Sequence, residues 1–328
     1  VLRRAVAFDA QLPPGRSRVD QLALAARYRD VTLAATLWLV EEIDGAAEGA
    51  GVDPLALFAA SIEEIWDVRP SMAAVAGAGE GRCSDLVAGP PLTADGHLWV
   101  AHNNDFSTDS RETIVAVEWR VPGEPVVFSL GVGPWLSVGW NDAGLSLTGN
   151  ELSPNDERVG VPRLLMVREQ LSARSLDNAV AMTLRPDRAS SYNTILAHRD
   201  GRVVNVEGSA TDAELTAPGR RGTLAHTNHY TCPRMLPYEG DPEYAERSGV
   251  RYGRALQLLD DAAPGSIGGE WLRTALSDHA TEPSICRHET PGARAKTVFW
   301  CVADVTAGEV RYGRGNPCDS VEQRYAFA

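Results

Sequence analysis

The sequence predicts an α+β fold in which two antiparallel β-sheets are covered by helices. Segments with helical spacing and segments with strand alternation occur in separate blocks, not in the regular β-α-β order of a doubly wound sheet. Turns that contain Gly or Pro separate the strand-like segments. No internal repeat or long Gly/Ser linker divides the 328 residues, so we expect a single domain, residues 1–328.

The first block is helical and the second is made of strands. Residues 19–46 are rich in Ala and Leu at helical spacing. A second helix is predicted from Pro54 to about Trp66, with Asp53 as its N-cap. From Cys83 the pattern changes, and strands are predicted at 84–88, 98–103, 113–121, 125–130, 135–140 and 144–149. The first two strands form a predicted hairpin with Cys83 at its start.

Helices and strands alternate again, in blocks, in the rest of the chain. Helices are predicted at 162–172, 175–184, 242–261 and 269–278. Strands are predicted at 192–198, 202–207, 296–304 and 308–313, with a further strand from Gly222 that runs into a loop near Tyr230.

The charge balance argues against two classes of main partner. Lys and Arg number 31 against 44 Asp and Glu, a net charge of −13, which argues against nucleic acid or an anionic membrane as a partner. No apolar run approaches the roughly 20 residues that span a bilayer. The five cysteines are odd in number and widely spaced, so they do not indicate a disulfide framework, and the cytoplasm is the expected compartment.

Six local stretches occur in an order that is typical of one family. They are Cys83 with its hairpin, Asn103-Asn-Asp105, Trp140 to Asn150 with Gly160-Val-Pro162, Ser191 to Gly208, His226-Thr-Asn228-His229-Tyr230, and Ser284-Ile-Cys-Arg287-His288. In this order they resemble the acyl-coenzyme A:6-aminopenicillanic acid (isopenicillin N) acyltransferase family of N-terminal nucleophile hydrolases. The resemblance runs from about residue 20 to the C-terminus.

The resemblance implies a four-layer αββα sandwich and a precursor that cleaves itself before Cys83. Residues 1–82 would then be a prosegment that stays associated, and residues 83–328 the catalytic part. The Cys83 thiol would attack an amide of a small molecule, or an acyl thioester, and form a thioester intermediate. The new α-amino group, with a pKa of about 7.7–8.0, would take up the proton, so no cofactor or metal is expected.

The family's site residues carry over to four further positions. Asp105 matches an aspartate expected to hold the thiol or the α-ammonium group, and Arg287 matches an arginine expected to pair with that aspartate or with a substrate carboxylate. Asn228 matches an oxyanion donor, and Asn150 matches an asparagine of the related choloylglycine hydrolase group. His226 and His229 are expected to orient the Asn228 loop.

The cleavage site departs from the family pattern. Arg82 stands where glycine is usual before the scissile bond, and it reduces the backbone freedom that lets the peptide twist toward attack. Ser84 still supplies a hydroxyl for cleavage, whereas Asp85 is a charge without an assigned role.

Three other interpretations of the same residues stay open. Cys83 by itself could be a small buried apolar residue. His226 and His229 with Cys286 and His288 have the ligand types and spacings of a zinc-dependent hydrolase. The chain could also be a scaffold that keeps the fold without activity.

Overall fold

Two antiparallel sheets stacked face to face form the centre of the fold. The computed structural model describes residues 12, 15–65, 83–107, 113–132, 135–290 and 295–327. The strands are β1 (Ser84–Ala88), β2 (Trp99–Ser107), β3 (Ile114–Trp119), β4 (Val127–Val132), β5 (Trp135–Asn141), β6 (Leu145–Asn150), β7 (Asn193–His198), β8 (Val203–Gly208), β9 (Ala213–Thr216), β10 (Thr223–His226), β11 (Ala295–Asp304), β12 (Glu309–Arg314) and β13 (Gln323–Ala326).

Helices precede β1, separate β6 from β7, and separate β10 from β11. They are α1 (Arg18–Ala35), α2 (Leu37–Ala50), α3 (Pro54–Ala60), α4 (Arg163–Leu171), α5 (Leu176–Thr183), α6 (Pro242–Asp261) and α7 (Gly269–Leu276), with a 3₁₀ turn at Leu236–Tyr238. Side-chain caps begin several of them: Asp53 accepts from the N–H of Ala56, and Asp241 accepts from that of Tyr244. Asp53, which the sequence predicts as an N-cap, therefore has that role in the structure.

The described strands divide into two sheets of different connectivity. Sheet 1 has the order β10-β1-β2-β11-β12-β13, so it combines strands from distant parts of the chain. Sheet 2 has the order β3-β4-β5-β6-β7-β8-β9, in which every neighbour in space is a neighbour in sequence. Every pairing between these strands is antiparallel.

Burial on both faces of each sheet makes the arrangement four layers thick. The outer face of sheet 1 carries Leu86 and Trp300, which pack with Leu272 under α6 and α7. Its inner face meets sheet 2 through contacts such as that of Val87 with Ile195. Hydrophobic residues on the outer face of sheet 2 pack against α4 and α5. The predicted αββα sandwich is therefore confirmed.

Most predicted elements are present, with three differences. The helical segment 19–46 is two helices, because Thr36 has an extended φ of −151° and ends α1. The short strands β9 and β13 were not predicted, and their four-residue length leaves little alternation to detect. The β1–β2 hairpin is confirmed, with Ser84 opposite Asn103. The helix predicted from Pro54 to about Trp66 is shorter in the structure, because α3 ends at Ala60 with Ser61 as its C-cap. Trp66 itself lies outside the described residues.

No helix within the described ranges combines the length and the apolar character needed to cross a bilayer. The predicted cytoplasmic location stays a prediction.

Candidate active site

Cys83 lies immediately before β1, at the edge of the space between the two sheets. Its side chain is 8% exposed. It lines a cavity together with Asn104 and Asp105 of β2 and Asn150 of β6. Nδ2 of Asn104 lies 3.5 Å from the Cys83 Sγ. Because side chains alternate along a strand, Cys83 and Asp85 share the face of β1 that looks toward sheet 2.

Asp85 and His102 form a buried pair beside Cys83 that the sequence did not predict. They are opposite each other in the β1–β2 register, and His102 Nδ1 lies 3.0 Å from Asp85 Oδ1. Burial disfavours the protonated ring, but the Asp85 carboxylate outweighs it and, with Cys83, raises the pKa of His102 to about 10. The Asp85 carboxylate therefore favours the protonated form of the His102 ring beside Cys83.

The thiol itself is held in its protonated form. Burial raises the pKa of Cys83, and the nearby charges of Asp105 and Asp85 act in the same direction. The imidazolium of His102 opposes this rise through a hydrogen bond and through its charge. Since the thiolate is the nucleophile, attack by Cys83 at neutral pH requires a proton acceptor within the site.

Asp105 has the properties of such an acceptor. Its Oδ1 accepts from Thr297 Oγ1 at 2.7 Å, and its buried Oδ2 has no hydrogen-bond partner within the described part of the chain. Burial raises the pKa of Asp105 to about 6, against the opposing charges of Arg287 and Arg251. The carboxyl is thus ionised at neutral pH but close to its titration range.

Arg251, from the middle of α6, connects Cys83 with Asn228. It is 1% exposed, and its Nη1 donates to the Cys83 carbonyl oxygen at 2.6 Å and to Ser84 Oγ at 2.8 Å. Its Nη2 donates to Asn228 Oδ1 at 2.9 Å. The sequence did not predict this residue, because Arg251 is one of several arginines on an amphipathic helix and nothing local marks it as buried.

The two asparagines proposed as oxyanion donors already donate to other groups. Asn228 Nδ2 donates to the backbone oxygen of Glu151 at 2.9 Å. Asn150 Nδ2 donates to Asp85 Oδ2 at 2.7 Å, and its Oδ1 accepts from the His226 ring at 2.9 Å. Asn150 also lines the cavity beside Cys83. Arg251 joins Asn228 to Cys83, so both asparagines belong to the same buried polar network.

Arg287 lies near Asp105, as expected, whereas the structure does not describe the residue before the cleavage site. The charge of Arg287 lowers the pKa of Asp105, which agrees with the expected proximity of these two residues. The backbone N–H of Arg287 donates to Thr297 Oγ1, the same hydroxyl that donates to Asp105. Ser84 is fully buried and bonded to Arg251. Arg82, and with it the Arg82–Cys83 bond, lies outside the described residues.

The four-residue zinc set suggested by spacing is wrong. The His226 ring lies 2.9 Å from Asn150 Oδ1 and 3.1 Å from Glu207 Oε1, between the sheets. His229 is bonded to Ser248 Oγ at 3.0 Å, and the same hydroxyl accepts from the backbone N–H of Asn228. Neither histidine lies in the group that contains Cys286 and His288. The fold therefore places the pair His226 and His229 in a different region from the pair Cys286 and His288.

The cavity beside Cys83 has both apolar and polar walls. Its apolar lining comes from both sheets and from α4, and its polar lining includes a glutamate of the N-terminal segment. The lining residues include Val132, Leu147, Leu164, Val167, Glu63, Tyr192, Asn193 and Thr194. An apolar pocket with a few converging polar groups is the usual form of a small-molecule site.

Two stacked antiparallel sheets between helical layers are the arrangement of the N-terminal nucleophile hydrolases. The sequence profile of the acyl-coenzyme A:6-aminopenicillanic acid acyl-transferase family matches residues 92–319. This is more than half of the chain, and the protein therefore belongs to that family. The confirmed class is an amide hydrolase or acyltransferase of the N-terminal nucleophile type.

Solved structures similar to this chain have low sequence identity. An N-acylethanolamine-hydrolyzing acid amidase ortholog from Caenorhabditis elegans is 17% identical, with 68% of this chain and 93% of that chain covered and a TM-score of 0.47. A variant of the conjugated bile acid hydrolase from Clostridium perfringens is 12% identical, with 75% and 97% covered and a TM-score of 0.47. Penicillin V acylase from Agrobacterium tumefaciens is 11% identical, with 75% and 86% covered and a TM-score of 0.45. A comparison with curated proteins finds no match.

Proposed function

We propose that the protein is a self-processing cysteine amidohydrolase or acyltransferase that acts on small-molecule amides through a thioester at Cys83. The observation that carries the proposal is the position of Cys83: it lies at the start of β1 and lines a cavity that also contains the carboxyl of Asp105. Family membership supports the reaction class, and the buried polar network supports the choice of this cysteine.

In the processing step, the Cys83 Sγ attacks the carbonyl carbon of Arg82 and its proton passes to Asp105. Asp105 returns this proton to the leaving nitrogen as the Arg82–Cys83 C–N bond breaks, so that a thioester forms and Cys83 gains a free α-amino group. Water then hydrolyses the thioester and releases the Arg82 carboxylate. In turnover the same thiol attacks a substrate amide, the amine leaves with a proton, and water or a second amine takes the acyl group.

The remaining site residues position and polarise these groups. Arg251 fixes the Cys83 carbonyl and Asn228, while Asn150 orients Asp85. Asn228 and Asn150 are our candidates for the donors that stabilise the oxyanion, with Arg287 holding Asp105 or a substrate carboxylate. The substrate is an amide or an acyl thioester of a small molecule.

Direct detection of the acyl-enzyme tests this function. We expect protein incubated with N-acyl amides or acyl thioesters to gain the mass of the acyl group on the fragment that begins at Cys83. Cys232→Ala is the matched control, because Cys232 is also 8% exposed, and it should acquire the same adduct. If a processed protein gains no mass across both substrate classes, the non-catalytic scaffold is the better interpretation.

Residues 1–82, we propose, form a prosegment that stays bound to residues 83–328 after cleavage. Helices α1–α3 share a buried cluster with α4, in which Phe58 packs near Leu165. At its edge the Arg163 side chain, 2% exposed, lies 2.9 Å from the Glu63 carboxylate. The backbone N–H of Arg163 donates to Glu64 at 2.8 Å. An apolar interface with buried ionic contacts favours lasting association.

Replacing Arg163 by methionine is expected to weaken this association. The change leaves Glu63 without a buried cation, and breaking a buried ion pair typically costs about 3–5 kcal/mol. We expect the two fragments of the processed protein to separate on gel filtration at urea concentrations that leave the wild type intact. Arg174→Met, at an exposed arginine, should behave as the wild type does. Fragments that stay together equally well in both variants would contradict this assignment.

A further inference from the structure

A second group of reactive side chains lies outside the cavity, between two loops of sheet 1. His279, Cys286 and His288 come from the connection between α7 and β11, and Cys318 comes from the connection between β12 and β13. One ligand atom from each residue lies within 4.8 Å of all the others. Residues that are up to 39 positions apart thus converge on one point.

The four distances known within the group are close to those of a tetrahedral zinc site. With Zn–S bonds of about 2.3 Å and Zn–N bonds of about 2.0–2.1 Å, the edges of a regular tetrahedron are about 3.8 Å for S–S, 3.3 Å for N–N and 3.6 Å for S–N. Cys286 Sγ and Cys318 Sγ are 3.7 Å apart, and the Nε2 atoms of His279 and His288 are 3.1 Å apart. His288 Nε2 lies 3.3 Å from Cys318 Sγ and 3.8 Å from Cys286 Sγ.

Neither hydrogen bonding nor a disulfide accounts for this convergence. A ring nitrogen carries one proton or one lone pair, yet three ligand atoms approach His288 Nε2. The two sulfur atoms are 3.7 Å apart, whereas a disulfide bond is about 2.05 Å long. Both cysteines are free thiols. A shared ion at the centre would satisfy all four ligand atoms at once.

We propose that His279, Cys286, His288 and Cys318 bind one zinc ion in a structural Cys2His2 site. Two thiolates and two imidazoles form a complete ligand set, which leaves no open position for a substrate or a water nucleophile. Asn316 supports the site from outside: its Nδ2 donates to Cys286 Sγ at 3.3 Å and to the Arg287 carbonyl oxygen at 2.7 Å.

The Cys2His2 site holds the loop that carries Arg287. Arg287 lies between two of the ligands, and its backbone carbonyl oxygen and N–H both bond to Thr297, whose hydroxyl donates to Asp105. Zinc binding therefore ties this loop to the connection that contains Cys318. Its role is to keep Arg287 in place behind the candidate active site, not to take part in the reaction.

Metal analysis of the full chain, purified without a polyhistidine tag, tests the site. We expect about one zinc per chain in the wild type and at least a fivefold lower content in Cys318→Ser and His279→Gln. Cys232→Ser and His198→Gln are the matched controls and should keep their zinc. Reconstitution of metal-free protein with Co²⁺ should give the visible bands of tetrahedral cobalt and a thiolate charge-transfer band in the near ultraviolet.

Thiol alkylation of the wild type keeps the test independent of whether the variants fold. Cys318 is exposed, so iodoacetamide should label it rapidly after chelation and at least about tenfold more slowly in the zinc-loaded protein. Three results would overturn the proposal: metal-free protein that does not take up Zn²⁺, variants that bind as much zinc as the wild type, or a non-reduced mass that shows a Cys286–Cys318 disulfide. None of these measurements depends on enzymatic activity.

Discussion

Cys83→Ala is expected to abolish both the processing of the chain and its reaction with amides. Alanine has no nucleophile, and loss of a catalytic nucleophile typically reduces turnover by at least about 10⁴-fold. On a denaturing gel, the wild type should appear as two fragments and the variant as one chain. Intact-mass analysis of the variant should detect no acyl adduct with any amide or thioester substrate.

Two further cysteine variants make this result specific. Cys83→Ser keeps a hydroxyl nucleophile, so we expect slower processing and an ester in place of a thioester. Cys301→Ala removes a fully buried thiol that also lies between the sheets, on β11, and should still be processed. If Cys83→Ala were cleaved at the same bond as the wild type, a different group or a contaminating protease would have to be responsible.

Asp105→Asn is expected to slow processing by about 10²–10⁴-fold, the usual contribution of a positioned general base. In the uncleaved chain Cys83 has no free amine, and the Asp85 carboxylate favours the protonated ring of His102, so we expect Asp105 to accept the thiol proton. Its pKa of about 6 sets the direction of the pH dependence. Below pH 6 the carboxyl is protonated and cannot accept the thiol proton, so wild-type processing should fall about tenfold per pH unit.

Freshly translated chain, transferred to buffers between pH 4.5 and pH 7.5, allows the processing rate to be measured by gel. The residual processing rate of Asp105→Asn should no longer decrease below about pH 6. A variant that was only destabilised would still show this decrease. Asp177→Asn, at an exposed aspartate of α5, is the control. It should keep the wild-type processing rate and the decrease of that rate below pH 6. A wild-type rate that stays level down to pH 4.5 would exclude Asp105 as the base.

Residues close in the sequence were the most predictable part of the site. Cys83 directly precedes β1, Asp105 lies in β2 of the same hairpin, and strand alternation places Asp85 on the same face as Cys83. The pairing of Asp85 with His102 was harder to predict, because the connection between the two strands is long enough to allow several registers. A shift of one residue would have moved His102 to the opposite face of the sheet.

Local sequence patterns determined the order of helices and strands, the likeness to the family and the cysteine at the start of β1. Only the tertiary structure decided which distant side chains surround that cysteine. Arg251 reaches the Cys83 carbonyl across 168 positions, and Cys318 meets Cys286 across 32. Sheet stacking and helix docking create these contacts, and periodicity along a chain carries no information about them. For that reason the sequence grouped Cys286 and His288 with the wrong histidines. The nucleophilic role of Cys83 stays a prediction.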